Sequence, residues 1–485
     1  MIKNYLKVAV RNLLRNKFFS IINIFGLALG MACSVLILLW VQDELSVDAW
    51  HANGKNLYAI VERQYYDHKI TGQYNVPAVL AAQMKKALPE VEYATQLDND
   101  EDNTFQVGEK IIKTNGAFAD SDLFRMFSYK LLEGNTQTAL NSPSAIAISR
   151  KMAQEFYGSP QAAIGKNIRY ENKQDFKIAA VYENLPENSS IKFDYVLNWF
   201  QYFKDNPWMI GKWDNNSPLA YIQLRPSADP VAFHNKIARF MDAYYKNQTP
   251  GFREELGIQK FGDVYLHGDL TGGKPSGGRI QYVYLFTIIA VFILLIACIN
   301  FMNLATARSI KRAREIGVRK VVGAVRPILI FQFIGEAVFL TFLAVVIAIV
   351  LVALLLPQFN AITGKQIAFP FGQLTFWLGL AALTLVTGLI AGSYPALFLS
   401  SFNPVMVLKG ALKLRPESVW FRKGLVVFQF FMSILLIIGT IVVSRQVSYI
   451  QTKNLGYNRE NLLYVPIEGD LSGKYETFKT GVFVV

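Results

Sequence analysis

The sequence is poor in cysteine, histidine and charge. Its two cysteines, Cys33 and Cys298, both sit inside long apolar runs, which excludes a disulfide framework and a Cys-rich metal site. Its four histidines, His51, His68, His234 and His267, show no spacing that suggests a metal site. Charged residues make up 18%, against roughly 25% in soluble domains. Hydrophobic residues reach 52% and the mean hydropathy is +0.24. A chain of 485 residues with this balance is neither disordered nor collagen-like, and it is not a purely soluble protein. Motifs for chemistry are missing too. The Gly-Gly-Lys-Pro-Ser stretch at 272–276 fails the Gly-x-x-x-x-Gly-Lys-[Ser/Thr] pattern of a phosphate-binding loop, and there is no Gly-x-Ser-x-Gly elbow.

What is present is long apolar runs with basic flanks. The net charge of +13 is concentrated in three short segments, 1–19, 306–327 and 400–424, which together carry +15 and leave −2 for the rest. Each segment adjoins an apolar run, the positive-inside pattern of a membrane protein and not the basic face of a nucleic-acid binder. Five runs are long enough to cross ~30 Å of hydrocarbon, which takes about 20 helical residues. Their cores are expected near 18–41, 283–305, 328–356, 373–399 and 425–444, the third ending early or tilting near Pro357. The basic flanks put the N-terminus and the 306–327 and 400–424 segments on the cytoplasmic side, and the large segment 43–281 outside. Five spans alternate consistently with those loops.

The expected architecture is therefore an α-helical membrane protein of about five transmembrane helices, with a large α+β domain between the first and second. Residues 1–17 read as an interfacial amphipathic helix, with Ile2, Leu6, Ala9 and Leu13 on one face and Lys3, Lys7, Arg11 and Arg15 on the other. The remaining divisions are a first span at 18–42, the outer domain at 43–281, a second span at 282–306, a cytoplasmic loop at 307–327, the third and fourth spans within 328–399, a second cytoplasmic loop at 400–424 and a fifth span at 425–445. In the outer domain strands are expected at 110–114, 145–149, 167–170, 176–181 and 219–224, and helices at 76–87, 151–157 and 230–245. Two lobes are allowed, and Gly-rich residues 268–278 read as a flexible link back to the membrane.

Two features stand out as candidate sites. Within the spans the ionisable residue is Glu336, which reads as a helix-packing carboxylate bonded to a neighbour such as Gln332 rather than a transport group. The second is the basic segment after the second span. It reads as helix, with Arg312, Glu315 and Arg319 spaced for i,i+3 and i,i+4 pairs. Gly317 suggests a break or a close packing contact, and Gly323 a helix end or turn before the next span.

That segment, Arg314-Glu315-Ile316-Gly317-Val318-Arg319-Lys320-Val321-Val322-Gly323-Ala324, followed by Ile330-Phe331-Gln332-Phe333 and Glu336, closely resembles the MacB/FtsX-like family of ABC transporter permeases. The stretches Asn4–Phe18, Asp43–Asp48, Ala145–Gly158, Gly165-Lys166 and Leu185–Phe193 look like the same family, in its bacterial form with two repeated halves. The resemblance implies a multi-pass protein of the bacterial inner membrane with a periplasmic core domain. It also implies a separate cytoplasmic ABC ATPase subunit, whose ATP-driven dimerisation is relayed to the periplasmic domain, so that work is done outside the membrane on an exported or extracted substrate.

By the same resemblance, Arg314, Glu315, Ile316, Gly317, Arg319 and Lys320 would contact the ATPase, with Gly323 and Ala324 shaping the exit. No catalytic residue, metal or cofactor is expected in this chain, ATP and Mg²⁺ belonging to the partner. Other expected partners are the lipid bilayer and a second permease, as homodimer or heterodimer, with no nucleic acid. Residues 422–463 echo 17–58 in layout, so 446–485 reads as the start of a second outer domain and the chain as truncated. A membrane-anchored receptor or scaffold without transport is the alternative; the missing acid–base and nucleophile constellations argue against a membrane enzyme.

Overall fold

The computed structural model describes residues 17–244, 251–401 and 416–454, with 456, 463–465, 467, 471 and 473–483 beyond them; side chains at 19, 100–101, 308–314 and 416–419 are not described. The interfacial helix expected at 1–17 and most of the 400–424 segment lie outside the described residues. The chain divides into two compact units, residues 43–283 with 463–485, and residues 1–42 with 284–462.

The outer unit is built on one twelve-stranded sheet. Its strands are β1 (Leu57–Tyr66), β2 (Lys69–Gln73), β3 (Asn75–Pro77), β4 (Val91–Val107), β5 (Lys110–Ala119), β6 (Leu131–Gly134), β7 (Ala145–Ser149), β8 (Asn167–Tyr170), β9 (Gln174–Tyr182), β10 (Tyr195–Asn198), β11 (Asn216–Leu224) and β12 (Arg253–Lys260). The order is β12-β1-β11-β4-β5-β10-β7-β9-β6, with β2 on β1, β3 on β11, and β8 bridging β4 and β9. Most pairs are antiparallel; β5–β10 and β7–β9 are parallel. Strand β7 lies inside the sheet and all five of its residues are buried, which is why it reads as an unbroken apolar run instead of an alternating one. The turn after it is built by local chemistry. Ser149 Oγ accepts the Met152 N–H to start helix Arg150–Tyr157, Gly158 ends it with φ +82°, and Ser159 and Pro160 start the next.

Four expectations for this unit change. A single sheet runs through the whole domain, so the strands do not separate into two lobes. Helix 76–87 begins only at Leu80, because Asn75–Pro77 pair with β11. Helix 230–245 ends at Ile237 and gives way to a 3-10 turn at Phe240–Ala243. The flexible link at 268–278 is a hairpin, β13 (Asp269–Thr271) with β14 (Lys274–Gly277). Gly272 and Gly273 sit at its two turn positions with φ +57° and +70°, the geometry a two-residue hairpin loop requires.

Among the described residues, the second unit holds five helices long and apolar enough to cross a membrane: α1 (Lys17–Leu45), α2 (Ile280–Val321), α3 (Arg326–Thr363), α4 (Leu374–Ser400) and α5 (Pro416–Thr452). In α1, 61% of the apolar window is buried inside the chain, against 6% in α5, so α1 is central to the bundle and α5 is peripheral. Leu27, Met31 and Val35 of α1 pack with Ala297 and Cys298 of α2, Ala344 and Val352 of α3, and Leu380 and Ala391 of α4. Apolar burial does not drive helices together in lipid, so close backbone approach must. A Cβ on Gly30 would sit 2.6 Å from the Ala297 Cβ, and one on Gly392 would sit 2.6 Å from the Ala337 Cβ. Gly26-x-x-x-Gly30 and Gly388-x-x-x-Gly392 are thus two small-residue seams that the reading of the apolar runs passed over. Helix α3 runs through Pro357 to Thr363 instead of ending there. Proline removes one N–H, a loss that neighbouring helices in a bundle accommodate.

Candidate functional site: the turn between α2 and α3

At 1.5 Å per residue α2 is about 63 Å long, twice the ~30 Å hydrocarbon. Its apolar span covers Ile280–Ala307, and the helix continues through 308–321. The segment expected as a loop at 307–327 is therefore mostly helix, and Gly317 does not break it. Gly317 is buried in the continuing helix, next to Ile316, which is 2% exposed and packs on Leu329 and Phe333 of α3 and on Ala396 and Leu399 of α4.

The helix ends at Gly323, with φ +101°. The Gly323 N–H donates to the Lys320 carbonyl at 3.1 Å and the Ala324 N–H to the Arg319 carbonyl at 2.9 Å. These are the paired bonds of a Schellman motif, and Ala324 packs back on the Ile316 cluster. Pro327 then opens α3 in its first turn, where the missing N–H costs nothing.

Three cations of the segment, Arg319, Lys320 and Arg326, have partners within the chain. Arg319 forms an ion pair with Glu315 at 2.5 Å, and its other nitrogen donates to Gln332 Oε1 at 2.9 Å. Lys320 Nζ donates to the Ser400 carbonyl at 2.7 Å, at the C-terminal end of α4, where a cation meets both an orphan carbonyl and the negative end of the helix dipole. Arg326 Nε reaches Ser400 Oγ at 3.4 Å. Partial burial and then the Arg326 charge lower the Lys320 pKa. These contacts tie the end of α2 to α3 and α4. Gln332, named in the sequence as a neighbour for Glu336, accepts from Arg319; Glu336 stands half-buried one turn further along α3. The Arg314 side chain lies outside the described residues.

Beside these paired cations, four valines of the turn stand exposed. Val318, Val321, Val322 and Val325 are 52%, 65%, 82% and 55% exposed. Val318, Val321 and Val322 recur at three and four residues, so they share a face of α2. The sequence reading concentrated on the charges and passed over these valines, although their spacing opposite Ile316 was visible.

The outer unit has its own buried polar group. His51 packs edge-on against Phe127, Tyr129 and Phe261, with ring centroids 5.3–5.7 Å apart. Its Nδ1 accepts the Ser128 N–H at 3.2 Å, which requires Nδ1 unprotonated, and burial lowers its pKa to about 4. His234 Nδ1 likewise accepts the Ile258 N–H at 3.2 Å. His51 is a bonded core histidine, and His234 is bonded and half-buried.

Two family models match the chain. Residues 20–240 match the family model of the MacB-like periplasmic core domain, and residues 287–404 that of the FtsX-like permease C-terminal region. The chain is 25% identical over 297 residues to the ABC transporter permease YvrN of Bacillus subtilis, covering 60% of this chain and 68% of that one. It is 24% identical over 274 residues to the macrolide export ATP-binding/permease protein MacB of Bdellovibrio bacteriovorus, covering 54% of this chain and 38% of the relative. Among solved structures, a permease-protein domain from Porphyromonas gingivalis aligns at 20% identity and a TM-score of 0.39, covering 44% of this chain and 92% of that one. The MacB relative thus extends well beyond the region it shares with this chain.

Proposed function

Because the chain belongs to the MacB/FtsX-like ABC transporter permeases, we propose that it is the membrane subunit through which ATP hydrolysis on a separate cytoplasmic ATPase drives an outer domain. The ATPase binds ATP and Mg²⁺; this chain binds neither. The N-terminus and the α2–α3 turn face the cytoplasm, the outer unit faces the periplasm, and a second permease completes a homodimer or heterodimer. The substrate is exported or extracted at the outer face.

The observation that supports this reading is the construction of the α2–α3 turn. A helix that overshoots the membrane ends in four exposed valines, while Arg319, Lys320 and Arg326 hold its base to α3 and α4. A braced apolar tip suits a docking element that must transmit a push without folding back. The partner contact then falls chiefly on Val318, Val321, Val322 and Val325, while Glu315, Ile316, Gly317, Arg319, Lys320, Gly323 and Ala324 shape and hold the tip.

The test is to purify the tagged protein from its native host in mild detergent and identify what accompanies it. A stoichiometric ATP-binding subunit, with vanadate-sensitive ATPase activity that requires this chain, is the expected result. A preparation free of any ATPase that still binds a ligand through its outer domain would favour a receptor or scaffold instead.

A further inference from the structure

Among the described residues, strand β12 forms an edge of the large sheet and pairs with β1, with Gly257 opposite Val61 and Ile258 opposite Ile60. The outward N–H groups of an edge strand have no ladder partner, and an uncovered row of them is a template for another chain. Two are covered here, both by residues that precede the strand. The Leu256 N–H donates to the Ala238 carbonyl at 3.2 Å, and the Ile258 N–H donates to His234 Nδ1 at 3.2 Å. The first acceptor is a peptide oxygen, which does not titrate. The second is a ring nitrogen, which accepts only while it carries no proton.

The strand is shaped to receive that ring. Helix Pro230–Ile237 buries Phe233 and Ile237 in the cluster that holds Ile60 and Leu256. His234, next to Phe233, lies half-buried against Gly257, where a Cβ would sit 2.8 Å from the His234 Cε1. The φ of Gly257 lies outside the left-handed region, so what this glycine supplies is room and not conformation. A side chain there would push the imidazole off the Ile258 N–H.

The charged and titratable groups around the ring come from several elements. On β12, Arg253 and Glu255 pair at 2.8 Å, and Tyr65 of β1 donates to Glu255 at 2.6 Å. Glu254 and Lys260 alternate onto the face opposite Gly257, together with Glu62. On the histidine's own helix Asp229 accepts the Val231 N–H and Lys236 pairs with Glu90 at 2.6 Å, and in the following 3-10 turn Asp242 pairs with Arg239 at 2.8 Å. Arg63 of β1 shares the Gly257 face and donates to the Gly273 carbonyl at 2.7 Å. It is the Arg63 charge that acts on His234.

We propose that His234 is a proton-operated cover on the β12 edge. The neutral ring closes the edge at Ile258; the imidazolium, a donor at both nitrogens, releases the Ile258 N–H and lifts from Gly257. The edge is then open at that point to solvent or to another extended chain, while the Leu256 bond and the pairing with β1 stay in place. Burial, then the Arg63 charge, lowers the His234 pKa from 6.5. The open form therefore binds the proton more readily than the closed one. The cover is closed at neutral pH, and its contribution is lost as pH falls from 6.5 through the lowered value.

The experiment uses the full chain in detergent. Hydrogen exchange of the β12 amides, corrected for intrinsic catalysis, is read by mass spectrometry from about pH 4.5 to about pH 8, the range over which histidine titrates. The amides of β7, inside the sheet, report opening of the whole domain. Loss of one ordinary hydrogen bond corresponds to about fivefold faster exchange, and the wild type is expected to show at least that at Ile258 at the acid end, with β7 unchanged. His234→Asn replaces Nδ1 with an oxygen that does not titrate, so its profile should stay flat. Gly257→Ala should exchange fast already at neutral pH and gain little from acid. Equal pH profiles for the wild type and His234→Asn would overturn the proposal. So would an acid-induced rise that is equal in β12 and β7, which would make the change global. Should His234→Asn not fold, the wild type decides: the NMR titration of the His234 ring must share its midpoint with the rise in Ile258 exchange, and separate midpoints refute the cover.

Discussion

Replacing Val321 and Val322 together by aspartate separates a docking tip from a topology loop. Fully burying a valine side chain is worth ~1.5 kcal/mol. Scaled by exposures of 65% and 82%, covering these two residues with a partner would contribute roughly 2.2 kcal/mol. That is about a 40-fold difference in Kd. Since both side chains are exposed in the chain alone, the same change is expected to move folding stability by less than ~0.5 kcal/mol. The assay is a titration of the purified ATPase subunit onto the permease in nanodiscs, read as Kd and as stimulated ATP hydrolysis, with the unfolding temperature measured alongside. The expected outcome is binding weakened by at least about 40-fold with the unfolding temperature unchanged. If the double variant folds normally and binds its ATPase within threefold of the wild type, the valine face is not the contact and the reasoning fails.

Charge reversal of the ion pair, Glu315→Lys with Arg319→Glu, keeps an exposed i,i+4 pair worth at most ~1 kcal/mol, but places an acceptor opposite Gln332 Oε1. Lower ATPase coupling with a smaller loss of affinity than the valine variant suffers is expected in the same titration. Gly392→Ala sets a Cβ 2.6 Å from that of Ala337 and should cost ~1–3 kcal/mol of stability, whereas Gly379→Ala, with nothing within 4 Å, should not; thermal unfolding in detergent compares them. Gly323→Ala meets no neighbour but must adopt φ +101°, so a loss of ~1–2 kcal/mol is expected from strain alone. His51 is held neutral, with a pKa of about 4 against 6.5 unfolded, so the unfolded chain binds the extra proton and stability falls as pH drops from 6.5 to about 4. His51→Phe should flatten that acid limb of the unfolding-temperature profile.

The membrane part was legible because its signal is local. Twenty apolar residues in a row with basic flanks need no partner to be recognised, and all five long helices lie where such runs occur. Gly323 was legible for the same reason, since a glycine after a helical run marks a left-handed end. The sheet was less so. Strand β4 contains Asp98-Asn99-Asp100-Glu101-Asp102-Asn103, residues that taken alone suggest a loop, and that stretch is strand because β5 supplies its hydrogen bonds. The glycine pair at 272–273 reads as flexibility in one dimension and as a hairpin turn once β13 and β14 meet.

The membrane class, the long apolar runs, the place of the large domain between the first two of them, and the segment that carries the family likeness can all be read along the chain. These depend on composition and short-range periodicity, which the chain carries without folding. Which side chains between Glu315 and Arg326 stand exposed depends on tertiary packing. Arg319 and Lys320 are cations in either description, but Gln332 and Ser400 reach them only when α3 and α4 pack beside α2, and it is that packing which leaves the valines exposed. Strand pairing likewise set Val61 opposite Gly257, 196 residues apart in the chain and on neighbouring strands in the sheet. A pairing of that span is set by the register of the whole sheet, and no local pattern encodes it.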